Sequence, residues 1–124
     1  WPNEYIAYFE ATEGSVSTSG DYERYLVGPS GERIHHILDV RTGLPAHRSI
    51  SATVLAPSGL YADALSTAAF VMGPERALAM FDRLPFPVKA VLIDPDCQVF
   101  TTPGTLEELH LQVELQSGVL PGCD

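Results

Sequence analysis

The 124-residue sequence predicts an α+β domain: a mainly antiparallel sheet with two adjacent helices. Three observations carry this. Short runs of β-branched and aromatic residues, punctuated by Gly and Pro, fill residues 4–55. The apolar period becomes helical after Ser58. Strand-like runs then return at Val88. Helices grouped between runs of strands, rather than alternating with them, are the mark of the α+β class.

The elements are expected as follows. Residues 4–11 read as a strand, with Tyr5, Ile6, Tyr8 and Phe9 as β-formers. A short strand covers residues 15–19 and ends at Gly20. Residues 23–27 and 32–38 flank Gly28-Pro29-Ser30-Gly31, a hairpin signal. Residues 41–45 form a turn, and residues 49–55 alternate as a strand. Ser58 caps a helix that runs to about Met72 and stops at Gly73. Pro74 opens a second helix to about Leu84. Residues 88–93 and 98–102 form another hairpin across Pro95-Asp96. The stretch from Thr105 to Leu115 mixes a helical start with a strand-like end.

Length suits one domain with a real core. The net charge of -9 disfavours nucleic acid and anionic membranes. It also repels nucleotides, so phosphate chemistry here needs a cation or backbone N–H groups. No apolar run reaches the roughly 18 residues of a membrane span, and no signal peptide is visible. The chain opens on Trp1 without an initiator Met, which suggests a processed or truncated piece. Cys97 and Cys123 form no framework, and a tail cysteine seldom fixes bridge geometry, so no disulfide is expected. No Cys/His spacing resembles a zinc site.

Three segments can carry chemistry. On a helix, Asp63, Ser66 and Thr67 stand at i, i+3 and i+4 and share a face amid apolar neighbours. A helix apolar nearly all round is expected to be buried, and a buried carboxylate is paired or binds a cation. Oxygen donors of this kind suit Mg²⁺. The rival reading is a carboxylate favoured by the positive helix end. In the second segment, a strand places Ile34, His36 and Leu38 on one face and His35, Ile37 and Asp39 on the other. His36 between apolar neighbours could be a general base, or a core histidine with satisfied ring nitrogens. Asp39 also suits an ordinary turn before Gly43. In the third, Thr18, Ser19 and Gly20 could present N–H groups to an anion, with Arg24 gripping a phosphate. The alternative is a polar turn before a hairpin.

Taken in order, these segments match one pattern. Residues 18–25 (Thr-Ser-Gly-Asp-Tyr-Glu-Arg-Tyr), 35–46 (His-His-Ile-Leu-Asp-Val-Arg-Thr-Gly-Leu-Pro-Ala), 54–59, 62–68 (Ala-Asp-Ala-Leu-Ser-Thr-Ala) and 71–75 closely resemble the C-terminal part of ApbE-type FAD:protein FMN transferases. The likeness spans roughly residues 15–104. It implies that Asp63 and Thr67 are Mg²⁺ ligands and that His36 is catalytic, with Asp39 as a candidate to fix its tautomer. Thr18, Ser19, Gly20 and Arg24 are then candidates for contact with FAD. The family usually has Pro where this chain has Val40, which should only loosen the turn. Members are expected at about twice this length, in line with domain-size priors. The absent N-terminal half would carry much of the FAD site and one more metal ligand, a backbone carbonyl.

The implied reaction moves FMN from FAD, as substrate, to a threonine of an acceptor protein and releases AMP. Acceptors in the family are subunits of membrane redox complexes, and a bacterial member is expected in the periplasm or anchored to the membrane. Two alternatives stay open at this stage. One is hydrolysis of FAD to FMN and AMP; the other is a non-catalytic flavin-binding module that completes a partner.

Overall fold

The computed structural model describes residues 6–22, 24–112 and 114–121. In chain order, the first strands are β1 (Ala7–Tyr8), β2 (Ser15–Gly20), β3 (Tyr25–Val27), β4 (Arg33–His35), β5 (Leu38–Asp39), β6 (Leu44–Pro45) and β7 (Ser51–Ala56). Helices α1 (Gly59–Met72) and α2 (Pro74–Asp82) follow. The chain continues through β8 (Lys89–Ile93), β9 (Val99–Thr101), α3 (Thr105–Glu108) and β10 (His110–Leu111). This is the expected α+β arrangement.

The main sheet has the order β2-β7-β8-β9, and every pairing is antiparallel. Ala52, Val54 and Ala56 of β7 and Ala90 and Leu92 of β8 are buried in one cluster with Ala62, Ala69 and Phe70 of α1 and Ala77 and Phe81 of α2. The many alanines let α1 lie close to the sheet, while Phe70, Phe81 and Leu92 supply bulk; side chains of that size contribute about 1.5–3 kcal/mol each when buried. A second, smaller cluster holds Ile93, Cys97 and Leu120.

The ends of α1 follow the expected chemistry. Ser58 Oγ accepts from the Tyr61 N–H at 3.3 Å. Gly73 ends α1 and precedes Pro74, the first residue of α2. Its φ of 86° and ψ of 161° lie in a region essentially reserved for glycine. A Cβ there would sit 2.9 Å from Cβ of Arg48. Gly73→Ala is therefore expected to cost about 1–3 kcal/mol of stability, read from the denaturant midpoint; an unchanged midpoint would mean the corner relaxes freely.

Several expectations are corrected. The strand expected over residues 4–11 shrinks to Ala7–Tyr8, which pairs with Leu111 and His110 of β10; Glu4 and Tyr5 lie outside the described residues. The strand expected over 32–38 breaks after His35, because the Ile37 N–H is taken by the His35 ring and the Ile37 carbonyl by the Ala46 N–H. The second helix ends at Asp82 rather than Leu84. Cys97 is buried and disulfide-bonded, against expectation; Cys123 lies outside the described residues.

Candidate active site

The site is built around α1. Asp63 and Thr67 are exposed, while Ser66 between them is fully buried. The expectation of a helix buried all round is thus wrong: Leu60 is 78% exposed and α1 lays only one side on the sheet. Asp63 is the fifth helical residue, and the first turn holds no acidic residue. The helix dipole acts mainly within the first turn, which weakens the reading of Asp63 as a helix-end carboxylate. Among the described residues its carboxylate forms no ion pair and accepts no hydrogen bond.

β2 braces this helix through hydroxyl groups. Ser19 Oγ lies 2.9 Å from Ser66 Oγ and 3.3 Å from Thr67 Oγ1. Ser66 Oγ is 3.3 Å from Ser17 Oγ and 3.0 Å from the Asp63 carbonyl, and Thr67 Oγ1 is 3.3 Å from that same carbonyl. The motif segments around Ser17–Gly20 and Asp63–Thr67, separate in sequence, therefore meet in the fold. Strand alternation sends Thr18 to the opposite face, where its Oγ1 sits 2.9 Å from Thr53 Oγ1. Thr18 is not brought to the α1 side. Gly20 is buried beneath the Tyr22 ring, which a Cβ would meet at 2.5 Å.

The two adjacent histidines have opposite surroundings. His35 is 5% exposed. Its Nε2–H donates to the Ala46 carbonyl at 2.8 Å, and its Nδ1 accepts from the Ile37 N–H at 3.2 Å. The core histidine anticipated in this segment is therefore His35. His36 is exposed, on the side of Ile34 and Leu38, which are themselves 40% and 50% exposed. Its Nδ1 lies 3.3 Å from the Arg24 carbonyl. A carbonyl only accepts, so in the neutral ring Nδ1 carries the proton and Nε2 the lone pair.

The expectation that Asp39 orients His36 fails. Asp39 is held by the backbone N–H, Nε and Nη2 of Arg41, at 3.0, 3.2 and 3.1 Å. These bonds, the side-chain ones foremost, hold its carboxyl below the usual range. The stabilisation they give is present above the ordinary carboxylate pKa and is lost as pH falls through the lowered one. Asp39 organises the turn to Gly43, whose N–H donates to the Asp39 carbonyl at 2.8 Å. The group that orients His36, missed in the sequence, is the backbone carbonyl of Arg24; main-chain acceptors leave no residue-type signal. Val40 at the tip of that turn is 93% exposed.

Phe70 links the two halves of the site. It follows Asp63 and Thr67 at i+7, on the same helical stripe, about 4.5 Å along the axis beyond Thr67. The His35 ring stands edge-on to the Phe70 ring, with centroids 5.4 Å apart and planes at 87°. The segment bearing His36 is thereby packed against α1.

Asp63 and Thr67 offer two hard oxygen donors of the kind Mg²⁺ takes, and Mg²⁺ commonly completes its shell with water and phosphate oxygens. Among the described residues, no cluster of three or more His, Cys, Asp or Glu side chains could hold a metal ion alone.

Comparison with known proteins gives this geometry a family. The ApbE family model matches residues 2–92. The FAD:protein FMN transferase of Treponema pallidum is 42% identical over 98 residues, which cover 78% of this chain and 26% of that protein. The Escherichia coli FAD:protein FMN transferase is 46% identical over 63 residues, covering 50% of this chain and 18% of the relative. The crystal structure of the Thermotoga maritima ApbE protein superposes with a TM-score of 0.76 at 36% identity, covering 86% of this chain and 34% of that one. The apo flavinyl transferase ApbE of Pseudomonas stutzeri gives 0.55 at 39% identity, over 75% and 30%. The chain thus spans about a quarter or less of the two transferases and about a third of the two solved chains, and it belongs to the ApbE family.

Proposed function

We propose that these residues form part of the active site of a Mg²⁺-dependent FAD:protein FMN transferase. The observation that carries this reading is the outward pair Asp63 and Thr67, unburied, braced by Ser19 and followed on its stripe by the residue that seats the His36 turn. Bound there, Mg²⁺ would neutralise charge on the FAD pyrophosphate. The hydroxyl oxygen of an acceptor threonine forms a bond to the FMN-side phosphorus. The bond from that phosphorus to the bridging oxygen breaks, and AMP leaves with the electron pair. His36 Nε2 takes the hydroxyl proton, its Nδ1–H held on the Arg24 carbonyl.

Ser19, Gly20 and Arg24 are the candidates for contact with FAD; Thr18, on the far face, supports β2 from behind. The acceptor is proposed to be a subunit of a membrane redox complex. A location outside the cytoplasm, in the periplasm or at the membrane, is supported by the disulfide at Cys97, since such bonds persist in oxidising compartments.

The test is mass spectrometry of a threonine-bearing acceptor peptide incubated with FAD, Mg²⁺ and a protein of the relatives' full length containing these residues. An added FMN on the peptide is expected. FMN and AMP appearing without peptide modification would assign hydrolysis instead. The 124-residue chain alone is expected to bind FAD more weakly than micromolar, the affinity that corresponds to about -8 kcal/mol. Calorimetry checks this, and micromolar binding would show that the chain holds a complete flavin site.

A further inference from the structure

We propose that His35 is a positioning residue: its ring builds the turn that presents His36 and fixes which nitrogen of His36 bears the proton. This deepens the reading of His36 as a base and rests on it for its catalytic meaning. The structural part stands independently.

The observations are these. His35 Nδ1 accepts the N–H of residue 37, so the ring closes an i to i+2 turn with His36 at its centre. Asp and Asn side chains build the same kind of turn. The chain bends at His36 and strand pairing stops, although Tyr25 and His35 still pair across β3 and β4. The bend places His36 Nδ1 at 3.3 Å from the carbonyl of Arg24, just before β3. The other nitrogen of His35 is fixed as well, donating to Ala46 at 2.8 Å. Both contacts require one tautomer, Nε2–H, with no rotation of the ring left open. The Phe70 contact then holds the ring against α1. His35 thus connects the orientation of His36 to the helix that carries Asp63 and Thr67. Ring contacts of this sort fix a neighbouring group's geometry much as a hydrogen-bond partner fixes the ring of a metal-bound histidine.

Two substitutions separate this role from core filling. His35→Asn can still accept the Ile37 N–H but cannot reach Ala46 with a ring nitrogen. His35→Gln can reach toward Ala46 but loses the short turn. Each leaves one buried backbone group unpaired, so both are expected to lose stability to a similar degree. The readout is the pair of ring ¹⁵N shifts of His36 in long-range ¹H–¹⁵N spectra of this chain. His35→Asn should keep Nδ1 protonated and Nε2 unprotonated, as in the unmodified chain. His35→Gln should move both nitrogens toward averaged values as the two tautomers mix. Equal behaviour of the two variants, or loss only in His35→Asn, overturns the proposal. Should neither variant fold, the unmodified chain decides: a His35 ring protonated at Nδ1, or an Ile37 amide that exchanges freely, overturns it, and the reverse supports it. A failure of the base reading appears elsewhere, as undiminished FMN transfer after His36→Ala, and leaves these spectra unchanged.

Discussion

Replacing Asp63 by alanine in a transfer-competent protein of the family's full length is expected to abolish both Mg²⁺ dependence and FMN transfer. A metal that takes hard oxygen ligands cannot replace a lost carboxylate with the Thr67 hydroxyl alone. Loss of an outer-shell partner typically costs 10–100-fold in metal affinity; loss of a direct charged ligand should exceed about 100-fold. Stability should barely move, within about 0.5 kcal/mol, because Asp63 is exposed and its carboxylate holds nothing together. Titration with Mn²⁺, followed by electron paramagnetic resonance, reads the affinity directly, and thermal unfolding reads the fold. Near-normal turnover with the same Mg²⁺ requirement would reduce Asp63 to a surface carboxylate.

The second large effect is expected at His36. His36→Ala should slow single-turnover transfer by about 10²–10⁴, the usual contribution of a general base. FAD affinity should change little, since a base acts mainly in the transition state. The fold should survive, because the exposed ring gives up one hydrogen bond of 3.3 Å. His35→Ala should show the inverse profile. It removes two hydrogen bonds and an aromatic contact from a site 5% exposed, and about 2–4 kcal/mol of stability should go with them. Its rate loss, measured under conditions where the protein is folded, should be the milder. Equal rate losses at the two positions, or a loss confined to His35, would exchange their roles.

What was legible in the sequence was local. Ser58, Gly73 and Pro74 mark helix ends by backbone chemistry alone, and α1 begins and ends where they place it. The hairpin around Gly28 and Gly31 is equally local, closed by the Gly31 N–H on the Gly28 carbonyl at 3.0 Å. Spacing also put Asp63 and Thr67 on one helical face. It could not say which way that face points, since α1 is apolar on both sides and is braced by hydroxyls on β2, 47 to 49 residues earlier in the chain. The alternation of residues 34–39 separated the two histidines correctly into opposite faces. It did not reveal the core side, because Ile34 and Leu38 are as apolar as Ile37 yet lie outward. Asp39 was misassigned to His36 for a related reason: a carboxylate three residues from a histidine is near it in sequence, while the Arg41 fork two residues on captures it in space.

The adjacency of buried Ser66 and exposed Thr67 makes α1 unforgiving of changes in length. Each residue advances an α-helix by about 100°. One residue gained or lost between Asp63 and Ser66 would turn the carboxylate a quarter-turn or more away from the threonine, and would put buried Ala62 equally out of phase with buried Ser66, Ala69 and Phe70. Packing and pair would be lost together. The Gly28–Gly31 tip has no such phase to keep; Pro29, Ser30 and Gly31 are exposed, and added residues there cost only the slow growth of loop-closure entropy. Insertions and deletions drifting through descendants of this sequence should therefore collect at that tip and be purged from the helix.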